Sequence, residues 1–291
     1  MNTGHVEKYI SVDTKNGLSF TVDIPRIEDS ERNIMGTQIF NISNNDEVKS
    51  INYTDKFNIS NFVVNINKNG SIKISNRINY KNFYGCYANS LSRLIIFGNK
   101  GNVYCVPAYM IQNIDSKGIK LNDLIDDFKQ NEEEIVNIYS ISELSDSTSV
   151  YFFTKSGYVK RTSLEEFNGE NPCIKGYKFK KEEDTIINVL LANNDDKKDV
   201  ILITKNAMGI RFEANNISYM GKIASGVTGI SLRDNDEVIF AEFIDKKEEK
   251  DVINIDGEFK NKLNIECKDR IEAEIILENI KNQNRAGKGK S

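Results

Sequence analysis

Laid over itself with a shift of 190 residues, the chain matches 10–50 onto 200–240 without a gap. Thr14-Lys15-Asn16 falls on Thr204-Lys205-Asn206, Ile27 on Ile217, Gly36 on Gly226, and Asn45-Asp46-Glu47-Val48 on Asn235-Asp236-Glu237-Val238. The same grammar recurs between those copies: an apolar strand, a Lys-x-Gly-like turn, a second strand ending in polar or basic residues, then a glycine and an acidic turn. A unit used several times in one chain points to a propeller or an array, because a single copy cannot bury its own apolar face.

Five strand pairs stand out: Tyr9–Asp13 with Ser19–Asp23, Phe62–Ile66 with Ser71–Ser75, Leu94–Phe97 with Asn102–Val106, Val150–Phe153 with Tyr158–Thr162, and Val200–Ile203 with Gly209–Phe212. Each is short, rich in Val, Ile, Tyr, Phe and Thr, and bounded by turn residues. Asn-Gly between strands supplies the positive φ that a tight hairpin needs. Ala207 breaks that pattern, so its turn is either shifted or closed by Gly209. A sixth, weaker copy is expected at Val252–Ile255 and Phe259–Ile265 around Asp256-Gly257. The turn residues 17, 70, 101, 157, 207 and 257 are spaced by 53, 31, 56, 50 and 50, an average that suits a four-stranded blade. The 31-residue interval is the exception, and whatever follows the second hairpin is largely missing between Tyr80 and Leu91. Gly36, Gly176 and Gly226 each lie 19 residues after a turn residue, which marks duplicated structure. Helical patterns are confined to Leu121–Lys129 and Ile271–Lys281, and the second also reads as a strand leading to a loop.

The chemistry that would make such a chain an enzyme is missing from its motifs. There is no GxxxxGK[ST] phosphate loop and no GxSxG elbow, and the single histidine, His5, lies near the start of the sequence. Cys86, Cys105, Cys173 and Cys267 are far apart without a CxxC, so they read as buried or bystander thiols in a reduced cytosolic compartment. No run of 18 apolar residues spans a membrane, and Met1 to Ile10 lacks the pattern of a secretory signal. A net charge of −4 argues weakly against wholesale nucleic-acid binding. Yet acidic clusters (132–134, 182–184, 248–249) sit between strands while bases gather after the turns, so an acidic total can hide a basic rim. Ordinary solvated loop charge is the alternative.

Ser225-Gly226-Val227-Thr228-Gly229-Ile230-Ser231-Leu232 with Asp236-Glu237-Val238, Lys155 to Thr162 (KSGYVKRT) and Lys205 to Phe212 (KNAMGIRF) together resemble a known family. It is the C-terminal domain of the A subunit of bacterial type IIA topoisomerases, DNA gyrase and topoisomerase IV. The resemblance is strongest over 94–240. It implies an all-β, six-bladed β-pinwheel, a propeller-like ring of four-stranded blades whose basic rim binds and bends duplex DNA. Gln283-Asn284-Arg285-Ala286-Gly287-Lys288-Gly289 also resembles that family's seven-residue gyrase box, with Asn284 in place of a base and Ala286 in place of a glycine. In the family this loop is required for chiral wrapping. Glycines bring the backbone close to phosphates, and Arg285, Lys288 and Lys290 neutralise them. The box usually belongs to the first blade, whereas here the first five units carry none.

The expectation is therefore one pinwheel over 1–291, with approximate blades 5–53, 57–90, 91–138, 139–190, 191–243 and 244–291. Its DNA-binding residues are expected to be Arg32, Lys73, Lys160, Arg161, Arg211, Lys222, Gln283, Arg285, Gly287, Lys288, Gly289 and Lys290. Alternation along a strand is expected to send at least one of Lys160 and Arg161 outward. No cofactor, metal or catalytic residue is expected. The implied partners are duplex DNA, bound without sequence preference, and a topoisomerase catalytic core with its ATPase subunit, in the cytoplasm at the nucleoid. A propeller acting as a protein-interaction platform is the alternative, and an enzyme with a central-channel site comes third.

Overall fold

The computed structural model describes residues 9–23, 40, 42–54, 59–79, 83–169, 171–245, 262–266, 272–276 and 283–289. Within them the fold is all-β, interrupted by short 3-10 turns. In chain order the strands are β1 (Tyr9–Thr14), β2 (Ser19–Asp23), β3 (Val48–Thr54), β4 (Asn61–Ile66), β5 (Ser71–Ser75), β6 (Tyr84–Asn89), β7 (Arg93–Gly98), β8 (Asn102–Pro107), β9 (Ile119–Lys120) and β10 (Ile135–Ile141). There follow β11 (Thr148–Thr154), β12 (Tyr158–Ser163), β13 (Cys173–Lys175), β14 (Ile186–Asn193), β15 (Lys198–Thr204), β16 (Gly209–Glu213), β17 (Val227–Thr228), β18 (Val238–Asp245), β19 (Lys262–Glu266) and β20 (Glu272–Ile276). They form antiparallel sheets ordered β2-β1-β3, β6-β4-β5-β9, β10-β7-β8-β13, β14-β11-β12-β17, β16-β15-β18 and β19-β20. All five expected hairpins are present in the expected registers.

Two compact units divide the chain. The first holds 1–98, 103–143 and 169–174, and the second holds 99–102, 144–168 and 175–291. Each has its own apolar core. The first is built on residues such as Val12, Phe20, Val64, Ile96, Tyr104 and Phe128, the second on Phe153, Val200, Leu202, Ile210, Phe212 and Ile217. No helix among the described residues is long and apolar enough to cross a membrane.

The repeat grammar has a structural meaning in each of its parts. A threonine closes the first arm of three hairpins, and its Oγ1 accepts from the amide four residues on: Leu18 N to Thr14, Tyr158 N to Thr154, and Met208 N to Thr204, at 3.1 to 3.2 Å. The acidic turn supplies a second acceptor. Asp46, Asp184 and Asp236 each take, through Oδ1, the N–H of the residue after them and the N–H of Asn16, Ser156 or Asn206 in the hairpin turn. The neighbouring main chain completes the clamp, with Lys15 N donating to Glu47 O, Lys155 N to Thr185 O and Lys205 N to Glu237 O. These aspartates are connectors between a turn and the strand that enters beside it. Asp46 and Asp184 are only 6% and 3% exposed, so solvation is not their role.

Ala207 resolves its own ambiguity. It takes φ 59° itself, and the turn keeps the hydrogen bonds of the others, Thr204 N to Met208 O and Ala207 N to Thr204 O. Gly17, Gly70, Gly101 and Gly157 hold the matching positions at φ 78° to 91°.

The glycine 19 residues past a turn is where the chain returns to the hairpin before. Gly226 lies so close to β12 that a Cβ there would be 2.6 Å from Val159 O, and β17 then pairs with β12. Gly118 does the same at Ile72 O before β9 pairs with β5. Each four-stranded sheet therefore borrows its outer strand from the following repeat, and the approximate blade limits cut through interlocked sheets.

Two expectations need correction. Leu121–Lys129 holds only a 3-10 turn at Leu121–Asp123. The sixth hairpin is β19 with β20, paired from Lys262↔Ile276 to Glu266↔Glu272, so its turn is at 267–271 and Ile271–Lys281 begins as a strand. Asp256-Gly257, the turn expected from sequence, lies outside the described residues.

Candidate nucleic-acid interface

Lys160 and Arg161 leave the second hairpin arm in opposite directions, as alternation requires, yet neither reaches solvent. Lys160 is 0% exposed and Arg161 6%. Strand β12 is flanked by β11 and β17, and both of its faces are covered, so the expectation that one base points outward is corrected. The Lys160 ammonium donates to Gly176 O at 2.6 Å, Lys222 O at 2.5 Å and Gly221 O at 3.2 Å. It stands 5.0 Å from the Phe152 ring centroid and 5.5 Å from that of Tyr177. Burial pushes its pKa down to about 7, with Glu166 acting the other way. Three carbonyls match the three N–H bonds of an ammonium, which is how a buried lysine without a carboxylate against it is tolerated.

Arg161 is held as tightly. Its Nε donates to Ser149 Oγ at 3.0 Å and its Nη2 to Tyr219 Oη at 2.8 Å, and its guanidinium carbon lies 4.0 Å from the Tyr219 ring centroid. Tyr219 is 50% exposed, so the arginine is capped by an aromatic ring that faces solvent on its other side. Arg211, one repeat later, is paired with Asp199 at 2.8 Å.

What Lys160 fastens is the informative part. Gly176 belongs to the segment Lys175-Gly176-Tyr177-Lys178-Phe179-Lys180-Lys181, in which all four lysines are exposed. Gly221 and Lys222 belong to the next return loop, and Lys178 N donates to Ala224 O of that loop at 3.4 Å. A buried lysine thus rivets two adjacent surface loops that carry Lys178, Lys180 and Lys222. Lys222 is half-buried, with its Nζ on Glu166 O at 3.3 Å, and Lys180 Nζ lies 4.6 Å from the Tyr158 ring centroid. The lysines at 175–181 were not among the expected site residues. Four lysines within seven residues around a return glycine were the available signal.

The remaining expected residues are scattered. Lys73 is exposed on β5 in the first unit. Gln283, Arg285, Gly287 and Gly289 are half-buried and Lys288 is exposed, all in the second unit. Arg285 Nη1 donates to Thr228 O at 2.7 Å. Arg32 and Lys290 lie outside the described residues. Cys86, Cys105 and Cys173 are free, and burial pushes the Cys86 and Cys105 thiols up to about 12 and about 11.

A family described as "DNA gyrase C-terminal domain, beta-propeller" matches residues 92–142, 148–169 and 198–245. The DNA gyrase A protein of Staphylococcus epidermidis strain ATCC 12228 is 34% identical over 163 residues, covering 55% of this chain and 18% of that protein. The Staphylococcus aureus strain NCTC 8325 counterpart is 34% identical over 149 residues, covering 50% and 16%. The chain thus spans less than a fifth of the length of these curated relatives. Among solved structures, the C-terminal domain of DNA topoisomerase IV superposes with a TM-score of 0.65 at 21% identity, over 80% of this chain and 72% of that one. A DNA gyrase A C-terminal domain gives 0.58 at 19%, over 79% and 76%, and the E. coli ParC C-terminal domain 0.60 at 12%, over 79% and 93%. The matched stretches, the shared hairpin grammar and the fold together place this chain in the family of C-terminal β-pinwheel domains of DNA gyrase A and its topoisomerase IV counterpart.

Proposed function

We propose that the chain is a non-catalytic module that binds and bends duplex DNA without sequence preference. It would act at the nucleoid with a topoisomerase catalytic core and its ATPase subunit, its six repeats serving as blades. The observation that carries the reading is the pair of lysine-bearing loops riveted together by Lys160 in a chain of this family. Phosphate contacts supply sequence-independent affinity, and removing one flattens the log K against log salt slope by about 0.9. Smooth bending of a short duplex costs on the order of 1–6 kcal/mol, so such contacts must be spread along the surface rather than gathered at one point. Lys178, Lys180, Lys222, Lys73 and Lys288 are the proposed ligands. Lys160, Arg161 and Arg211 support them from inside.

The test is fluorescence anisotropy with a duplex of about 40 base pairs over a salt series, paired with energy transfer between labels at its ends. Binding with a steep salt slope is expected, and replacing Lys178, Lys180 and Lys222 with Gln should flatten it by about 0.9 for each phosphate that is no longer neutralised. A slope near zero for the unaltered chain overturns the reading. The protein-platform alternative would then stand, favoured by the apolar exposure of Ile51 and Tyr53 (49% and 71%) on β3.

A further inference from the structure

We infer that residues 283–289 form the closing segment of the β16-β15-β18 sheet, and that Arg285 is a positioning residue clasping them there rather than a phosphate ligand. Three return glycines carry the argument. Gly118, Gly226 and Gly289 have φ 76°, 73° and 73°. A Cβ on each would meet a carbonyl oxygen, that of Ile72, Val159 or Gly209, at 2.2, 2.6 and 3.2 Å. Those three carbonyls occupy one position in the repeat, two residues past the turn residues Gly70, Gly157 and Ala207. The chain distances agree as well: Gly226 is 17 residues beyond the start of β16 (226 − 209), and Gly289 is 17 beyond the start of β20 (289 − 272). The box-like segment is thus the return of the sixth hairpin onto the fifth, the place that β17 takes on β12 and β9 on β5.

Its bonds are those of a sheet edge. Gln283 N donates to Arg211 O on β16 at 2.7 Å. On the other side Ala286 N donates to Gly229 O at 2.8 Å, Ser231 N to Gly287 O at 2.9 Å, and Ser231 Oγ to Ala286 O at 2.8 Å. Arg285 is in the middle, its Nη1 on Thr228 O of β17 at 2.7 Å. A guanidinium fixed on a main-chain carbonyl, with its backbone locked on both sides, is not free to follow a phosphate. Lys288 is exposed and is left to carry the segment's contact with DNA.

The phosphate arm of this inference rests on the DNA-binding reading; the main-chain arm does not. Amide hydrogen exchange on the whole chain reads the second. Arg285→Ala should speed exchange at Ala286 and Ser231 about tenfold, the effect of losing one well-formed hydrogen bond to a charged donor. Arg285→Gln, whose amide can still donate to Thr228 O, should restore protection and keep the fold where the alanine variant loses it. In the salt titration Arg285→Gln should leave the slope unchanged, while Lys288→Gln flattens it by about 0.9 with exchange unaltered. Unchanged exchange at Ala286 and Ser231 in Arg285→Ala overturns the clasp, whether or not the chain binds DNA. A flattened slope in Arg285→Gln with protection intact makes Arg285 a phosphate ligand and overturns its assignment.

Discussion

Asp184 tests the account of the repeat most directly. Its Oδ1 accepts from Ser156 N at 2.8 Å and Thr185 N at 2.9 Å, and the residue is 3% exposed. In Asp184→Ala both amides lose their acceptor in a place that water barely reaches. Bonds to a carboxylate contribute about 1.5–3 kcal/mol each, and releasing the carboxylate from burial offsets part of that, so the expected loss is about 2–4 kcal/mol. Asp184→Asn keeps an oxygen in the same place and should lose about 1 kcal/mol, the scale of a neutral hydrogen bond. Glu183→Ala, one residue away on an exposed side chain, is the control and should stay within about 0.5 kcal/mol. The assay is urea unfolding at neutral pH, with amide exchange at Ser156 and Thr185 to confirm that the loss begins there. The same alanine substitution should cost nearly as much at Asp46 and less at Asp236, which is half-buried with a longer bond of 3.1 Å to Asn206 N. An Asp184→Ala protein within about 0.5 kcal/mol of the parent would refute the connector role and return the acidic turns to ordinary solvated charge.

Two further outcomes follow from single positions. Ala207 holds φ 59° where the other turns have glycine, so Ala207→Gly should raise stability by about 0.5–1 kcal/mol, the left-handed penalty less the added entropy of glycine; a loss in urea unfolding would contradict it. Lys160 has a folded pKa of about 7 against an ordinary 10.5, so between those values the unfolded chain holds a proton that the folded one does not. Stability should therefore rise with pH across that window, by at most about 1.4 kcal/mol per unit, and the rise should vanish in Lys160→Met. Equal pH slopes in the two proteins would place the titration elsewhere.

The hairpins were legible because their determinants are local: an Asn-Gly or Lys-x-Gly turn fixes its own backbone and the register of the strands beside it. The faces of those strands were not. Alternation says that Lys160 and Arg161 point apart, and it says nothing about whether both sides are covered. Where a strand is flanked by two others and packed on both faces, the rule of one wet side lapses, as it does in any doubly covered sheet. The acidic turns were visible as a pattern and misread as solvated charge, since a sequence shows the carboxylate and not the two amides aimed at it. The sixth turn was misplaced because Asp256-Gly257 carries the stronger turn signal, whereas Cys267 to Ile271 contains no glycine at all.

The 31-residue interval shows how far a spacing can be pushed toward structure once the return strands are known. In the later repeats a hairpin is followed first by its return to the previous sheet and only then by the strand that joins its own: β7-β8, then β9 onto β5, then β10 onto β7. After β5 the chain goes straight to β6, which pairs with β4 from Asn61↔Asn89 to Ile66↔Tyr84. The missing stretch between Tyr80 and Leu91 is therefore the return, and not the hairpin's own third strand. Its absence should leave the preceding sheet one strand short. That sheet is β2-β1-β3, and among the described residues no strand pairs on the outer edge of β2. One deletion in sequence thus appears as an open edge on a different sheet, and the same logic run forward makes residues 283–289 structural: a chain built on borrowed strands needs a last segment to lend, and this one lends the segment that resembles the box.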